Sequence, residues 1–288
     1  MIRRIELDVG TVTCTDERPP AGRRGRASRP LVLLHGFTGS AASWAGVRAA
    51  FRPTRRVVAL DLPGHGATTV APAFDGSFAG TIDLVAATLD ALGIAEVDLV
   101  GYSMGGRIAL QLALAHPGRV GSLVLESASA GLASAAARAR RRAADAVLAA
   151  AIERDGIAAF VRRWEALPLF RSLADQPAVV REGLRRQRLG CDPAGLAASL
   201  RWCGLGSQPW LGGRLASLAI PVLLLTGERD AKFTRAATRL LPRFVDARHE
   251  IVAAAGHVPH LEQPARFLRA VRDFLAGTAG ARTASRGE

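Results

Sequence analysis

The segment Gly101-Tyr102-Ser103-Met104-Gly105 sets a serine two residues from a glycine on either side. This G-x-S-x-G spacing suits a sharp strand-to-helix turn: the small residues remove Cβ clashes, and the turn lifts the Ser103 hydroxyl clear of the backbone. A serine hydroxyl is weakly reactive until an imidazole takes its proton, and the imidazole needs a carboxylate to fix its tautomer. Asp230 closes the run VLLLTGERD, and His257 follows VAAAG. We expect His257 Nε2 to accept the Ser103 proton, and Asp230 to hold the other ring nitrogen and stabilise the imidazolium. Glu228, two residues before Asp230, reads as a solvated or structurally paired carboxylate, and His260 lies beyond the turn that carries the base. His35 and His65 fall in HGF and PGHG turns and read as loop-shaping hydrogen-bonders, while His116 and His249 read as surface residues. No spacing among the six histidines suggests a metal site, and no cofactor is expected.

These groups need a frame that brings distant turns together. Apolar runs at 31–36, 56–66, 97–103, 122–127, 221–230 and 249–257 each end in a turn or a chemistry-bearing residue. Unbroken apolar runs of this length are the mark of strands buried on both faces of a parallel sheet. Residues 2–12 read as a first strand, and 16–29 as a polar Pro/Gly/Arg loop. Helical stretches such as 82–92 and 105–115 lie between the runs, which predicts a mostly parallel α/β sheet flanked by helices. The alternation stops between 129 and 217, an Ala- and Arg-rich stretch read as a wholly helical lid insertion. The expected organisation is a core over 1–128 and 218–275, the lid at 129–217, and a disordered tail at 276–288.

Hydrophobic residues make up 49 % of the 288-residue chain, enough for a large core, while aromatics at 5 % leave Leu, Val and Ala to fill it. The formal charge is +13, and Lys232 is the only lysine among 38 basic residues. That bias, with abundant Ala and Gly, reads as GC-rich coding. The arginines are scattered, without interleaved aromatics or a zinc-finger or RNA-module signature, which argues against nucleic acid. A basic balance does fit an anionic small-molecule substrate. Cys14, Cys191 and Cys203 are odd in number and lack CxxC spacing, so no disulfide framework or zinc site is expected. The N-terminus lacks a signal-peptide pattern, and no run reaches the ~18 apolar residues of a membrane span. The expectation is a soluble cytoplasmic protein without a membrane partner, monomeric or homo-oligomeric.

The order Ser103, Asp230, His257 on such a sheet resembles the α/β-hydrolase fold. In that fold the oxyanion hole uses the amide after the nucleophile, here Met104, and one from the loop after an early strand, here Phe37 of His35-Gly36-Phe37. Such donors are typically worth ~3–4 kcal/mol each in a transition state.

A narrower resemblance lies in LLHGFTGS…SW (33–44), DLPGHG (61–66), GYSMGGRIAL (101–110), ESASAGL (126–132), GLGSQPW (204–210) and GERDAKF (227–233). Together they resemble the 2-succinyl-6-hydroxy-2,4-cyclohexadiene-1-carboxylate synthase family, menaquinone-pathway lyases, over residues 31–275. The resemblance implies a substrate with several carboxylates, removal of a ring proton, and loss of an enolpyruvyl group as pyruvate. Ser103, deprotonated by His257, would be the base, and the Phe37 and Met104 amides would hold an enolate. It also implies that Tyr102, Arg107, Arg141, Trp164 and Arg188 bind the substrate. The sequence departs from the family at Ala130, where a proline often stands, and in a longer 16–29 loop. The same triad would equally serve a serine hydrolase, either a carboxylesterase or a C–C bond hydrolase, acting on a carboxylate-bearing substrate. A ligand-binding receptor on this scaffold is the reading from another class.

Overall fold

A computed structural model describes residues 1–20 and 28–284. The chain opens with a hairpin, β1 (Ile2–Leu7) and β2 (Gly10–Glu17), paired in register from Ile2↔Thr15 to Leu7↔Gly10. The single strand expected over 2–12 is therefore two. Gly10 explains the reversal: its φ of +139° disfavours a side chain, and a Cβ there would overlap the Thr69 carbonyl oxygen. Residues 21–27 of the expected 16–29 loop lie outside the described residues.

The sheet continues through β3 (Leu31–Leu34), β4 (Val57–Leu60), the short β5 (Thr69–Val70), β6 (Val97–Tyr102), β7 (Val120–Glu126), β8 (Val222–Gly227) and β9 (Ala247–Val252). Spatial order is β1-β2-β4-β3-β6-β7-β8-β9, with β5 beside β2. The pairs from β4–β3 through β8–β9 are all parallel. Every residue of β3, β4 and β8 is buried, as strands covered on both faces require.

Side-chain alternation splits the core in two. Val32, Leu34, Val58, Leu60 and Leu99 face α2 (Phe78–Ala91) and α3 (Met104–Ala115). Leu31, Leu33, Val57, Ala59 and Val100 face Trp44, α1 (Ala45–Phe51) and α9 (Pro264–Ala284). Because β3 lies between β4 and β6, the connections leaving it diverge, and a crevice opens at the C-terminal edge of the strands. The turns carrying Phe37, Ser103, Asp230 and His257 all gather there.

Between β7 and β8 the chain is helical: α4 (Ala135–Glu165), a 3-10 segment at Pro168–Asp175, α5 (Ala178–Leu189) and α6 (Pro193–Cys203). Gly156, at φ 75° and ψ 172°, kinks α4. Ile152, Phe160, Val161, Leu196 and Leu200 form a separate small core, against which Phe37 packs from the loop after β3. That contact ties the insertion to the sheet edge. The core is completed by α7 (Ala231–Leu240) and the one-turn α8 (Pro259–Glu262).

One expectation is corrected at the C-terminus. The 276–288 stretch is expected to be disordered, whereas α9 runs to Ala284; residues 285–288 lie outside the described residues. Phe267, Val271 and Phe274 anchor the helix, and extending an anchored helix through Ala-rich sequence needs no new nucleation. No helix among the described residues is long and apolar enough to cross a membrane.

Candidate active site

Ser103 sits between β6 and α3 at φ 50° and ψ −106°, a backbone conformation that side chains disfavour. The turn closes only because its neighbours are small. A Cβ on Gly105 would overlap the Leu34 carbonyl, and one on Gly106 would lie 2.6 Å from Ala128 Cβ. The Ser103 N–H donates to the Glu126 carbonyl at 2.8 Å, fixing the turn to β7.

His257 donates from Nδ1 to Asp230 Oδ2 at 2.6 Å, which leaves Nε2 as the acceptor facing the Ser103 hydroxyl at 3.3 Å. Both partners of the His–Asp pair are buried, so water does not compete for the bond. Asp230 caps α7, its Oδ1 accepting the Phe233 N–H at 3.2 Å. Phe233 covers the imidazole, with ring centroids 4.6 Å apart.

The two alternatives for acid and base have other work. Glu228 accepts the Ala254 N–H at 2.9 Å and braces the loop before His257. His260 donates from Nδ1 to the fully buried Glu126 at 2.9 Å and stacks on Trp44 at 4.5 Å.

The Phe37 amide is set by buried imidazoles. His35 donates from Nδ1 to the Gly36 carbonyl at 2.8 Å and accepts the Leu62 N–H at Nε2 at 3.0 Å. His65 donates to the Pro63 carbonyl at 3.2 Å and accepts the Thr38 N–H at 3.3 Å. Burial pushes their pKa values down, to about 4 for His35 and about 3 for His65, so both are neutral. Asp61 joins the loops, accepting from the Ala41 N–H at 2.7 Å and the Ala67 N–H at 2.9 Å. The Phe37 N–H finds no backbone acceptor among the described residues, so it is free to serve an oxyanion. Met104 opens α3, where the first N–H groups carry the positive end of the helix dipole.

A cavity of about 130 Å³ opens over Ser103 and His257, and Phe37, Tyr102, Met104, Arg107, Arg141 and Trp164 also line it. The Arg107 guanidinium donates to the Cys203 carbonyl at 2.7 Å and to Gln208 Oε1 at 3.4 Å. Burial, with the neighbouring Arg141 charge adding to it, lowers its pKa to about 10, which keeps it charged at neutral pH. Arg141 pairs with Asp145 at 2.8 Å. The Trp164 indole N–H is buried without a hydrogen-bond partner among the described residues. Such a cavity can hold an anion beside a hydroxyl–imidazole pair and two candidate oxyanion donors.

The chain matches the alpha/beta hydrolase fold family over residues 29–264. A Salmonella agona (strain SL483) protein named 2-succinyl-6-hydroxy-2,4-cyclohexadiene-1-carboxylate synthase is 39 % identical over 246 residues, spanning 85 % of this chain and 93 % of its own. A Bacillus subtilis (strain 168) relative, 41 % identical over 251 residues and spanning 86 % and 91 %, carries the same name, assigned provisionally. The structure of MenH from S. aureus superimposes with a TM-score of 0.87 at 30 % identity, covering 95 % of this chain and all of that one. This chain belongs to the 2-succinyl-6-hydroxy-2,4-cyclohexadiene-1-carboxylate synthase family. A thermophilic esterase from Thermogutta terrifontis, solved with malate bound, is similar at a TM-score of 0.82 and 25 % identity over 96 % of this chain and 99 % of its own.

One residue that the synthase resemblance assigned to the substrate stands apart. Arg188 lines not the Ser103 cavity itself but two beside it: one of about 460 Å³ between the 165–174 segment and α5, and one of about 30 Å³ that shares Phe37, Tyr102 and Phe170 with the Ser103 cavity. Its guanidinium lies 3.4 Å from Glu165 and 5.0 Å from the Phe170 ring centroid, and its buried Nε has no partner among the described residues. Phe170 is a wall common to all three cavities.

Sequence reasoning also passed over residues of this synthase-family site. Lys232 lines the Ser103 cavity, and its signal was its singularity as the only lysine. Phe233 and Phe170 pack on His257, and nothing in their spacing marked them. Glu262 accepts from the Gly256 and Val258 amides on either side of His257, again with no local signature.

Proposed function

We propose that this chain is a carbon–oxygen lyase that eliminates pyruvate from 2-succinyl-5-enolpyruvyl-6-hydroxy-3-cyclohexene-1-carboxylate in menaquinone biosynthesis. The observation that carries the reading is a complete Ser103–His257–Asp230 relay opening into a cavity lined by arginines, in a chain of the synthase family.

His257 takes the Ser103 proton, and the resulting alkoxide removes the ring proton beside the succinyl ketone. The C–H electron pair moves onto the ketone oxygen as an enolate, which faces the Phe37 and Met104 amides. It then returns through the ring double bond and expels the enolpyruvyl oxygen, leaving the conjugated diene. The His257 imidazolium, stabilised by Asp230, gives its proton to the leaving group, and the enol tautomerises to pyruvate. No bond to Ser103 forms, which separates this path from the serine-hydrolase alternative and its acyl-serine. Bidentate arginine is the natural partner for the substrate carboxylates, and the presence of Arg107 and Arg141 in the cavity lining supports that role for them.

The test supplies the enolpyruvyl precursor, made enzymatically in situ, and follows pyruvate release together with diene absorbance. Release well above the spontaneous rate, lost in Ser103→Ala, is the expected result. Release at background, with an acyl-serine trapped from an activated ester, would overturn the lyase reading in favour of a hydrolase.

A further inference from the structure

Three cationic side chains line the cavity over Ser103: Arg107, Arg141 and Lys232. Two are already engaged, Arg107 by the Cys203 carbonyl and Gln208, Arg141 by Asp145. Lys232 makes no hydrogen bond or ion pair among the described residues. Its Nζ stands 5.3 Å from the centroid of the Phe233 ring, and it is exposed at the cavity rim. Its ammonium is therefore free of an anionic partner among the described residues, at the rim of the cavity that opens over Ser103.

Its position works against the fold. Lys232 lies in the first turn of α7, where the helix dipole disfavours a cation, and the one carboxylate at that helix start, the N-cap Asp230, is engaged by His257 and the Phe233 N–H. It is also the only lysine among 38 basic residues. A chain that uses arginine everywhere else keeps here a compact, rotatable ammonium in place of a rigid planar fork. The same helix start carries Asp230 and Phe233, the residues that hold and cover His257, so the ammonium emerges from the element that supports the base. Arg107 and Arg141 project from other elements, α3 and α4.

We propose that Lys232 binds the carboxylate of the departing enolpyruvyl group and holds that group beside His257; this rests on the lyase reading above. The division of labour follows from position. The arginines of α3 and α4 take the carboxylates that stay with the ring, and Lys232 takes the one that leaves, next to the imidazole that must protonate it. A single rotatable ammonium also lets the product go more readily than a bidentate fork would.

The experiment uses the fact that Lys232 is the chain's only side-chain amine. Wild type, Lys232→Ala and Lys232→Arg are compared on the enolpyruvyl precursor. In parallel, Ser103→Ala protein is treated with acetic anhydride with and without the precursor, and acetylation of Lys232 and of the N-terminal amine is read by mass spectrometry. We expect Lys232→Ala to raise KM roughly tenfold or more, the scale of a charge-assisted hydrogen bond, with kcat changed less. Lys232→Arg recovers part of the loss, and the precursor slows acetylation at Lys232 and not at the N-terminus. Wild-type kinetics in Lys232→Ala together with unprotected Lys232 would overturn the proposal and leave the lyase reading standing. A wild type that releases no pyruvate would overturn the lyase reading and this proposal with it.

Discussion

Glu262 brackets His257: one carboxylate oxygen accepts the Gly256 N–H at 2.7 Å and the other the Val258 N–H at 2.9 Å. The peptide carrying the base is thus held on both sides by a buried group that only accepts. Glu262→Gln keeps the shape but turns an NH₂ toward one of the two N–H donors. We expect kcat to fall about tenfold with KM little changed, and stability to fall by ~1–3 kcal/mol, the cost of an unsatisfied buried group. Steady-state kinetics with thermal unfolding checks both; an unchanged kcat would show that the loop holds His257 without this carboxylate.

Ser103 combines reactivity with strain. Its φ of 50° with ψ −106° suits glycine, and such conformations cost of order 1–3 kcal/mol for other residues. Ser103→Gly should abolish turnover while raising Tm by about 2–4 °C, the shift that ~1 kcal/mol gives a domain of this size class. Ser103→Ala should be equally inactive with Tm near wild type. A Ser103→Gly protein less stable than Ser103→Ala would show that the turn is unstrained.

What was legible in the sequence follows from how local each signal is. Buried parallel strands announce themselves as unbroken apolar runs, so LVLL, VVAL and VLLLTG could be read directly. Ser103 and Asp230 stand out because they follow the β6 and β8 runs closely, whereas His257 lies five residues past β9, whose ARHEIV is mixed and mostly not buried. The β1–β2 hairpin was not, since its reversal depends on Gly10 meeting Thr69, a contact made 59 residues away. Glu262, Phe170 and Phe233 act only through the fold, and no spacing marks them. What the sequence did not carry is the surroundings of Arg188: the Glu165 carboxylate and the Phe170 ring lie beside its guanidinium only through the fold.

Glu126 and His260 form a pair that holds β7 to the segment after the base. Glu126 is fully buried and accepts both the His260 N–H and Nδ1–H at 2.9 Å. Removing one partner of a buried pair strands the other charge, a loss of about 3–5 kcal/mol. His260→Ala should lower Tm by roughly 10 °C on that scale, while His260→Asn, which keeps a donor, should lose less. Because His260 does not face Ser103, kcat per folded molecule at low temperature should stay within a few-fold of wild type. A kcat collapse in His260→Asn with normal stability would return His260 to candidacy as a base.

The buried imidazoles of the oxyanion loop tie stability to pH. His35 and His65 have folded pKa values of about 4 and about 3, below the ordinary 6.5, because burial opposes their charged forms. As pH falls below 6.5 the unfolded chain takes up these protons and the folded chain does not, so folding weakens. The loss continues until pH reaches the folded values, and between pH 7 and 5 it amounts to roughly 2 kcal/mol per histidine. The ring centroids are only 5.0 Å apart, so protonating one further opposes the other. Urea unfolding across this range should show the midpoint falling with pH in wild type, and His65→Gln should fall less steeply by about one proton. Equal slopes would mean that His65 takes up its proton without unfolding. Since Thr38 and Leu62 donate to these rings, the Phe37 turn is where that uptake would first be felt.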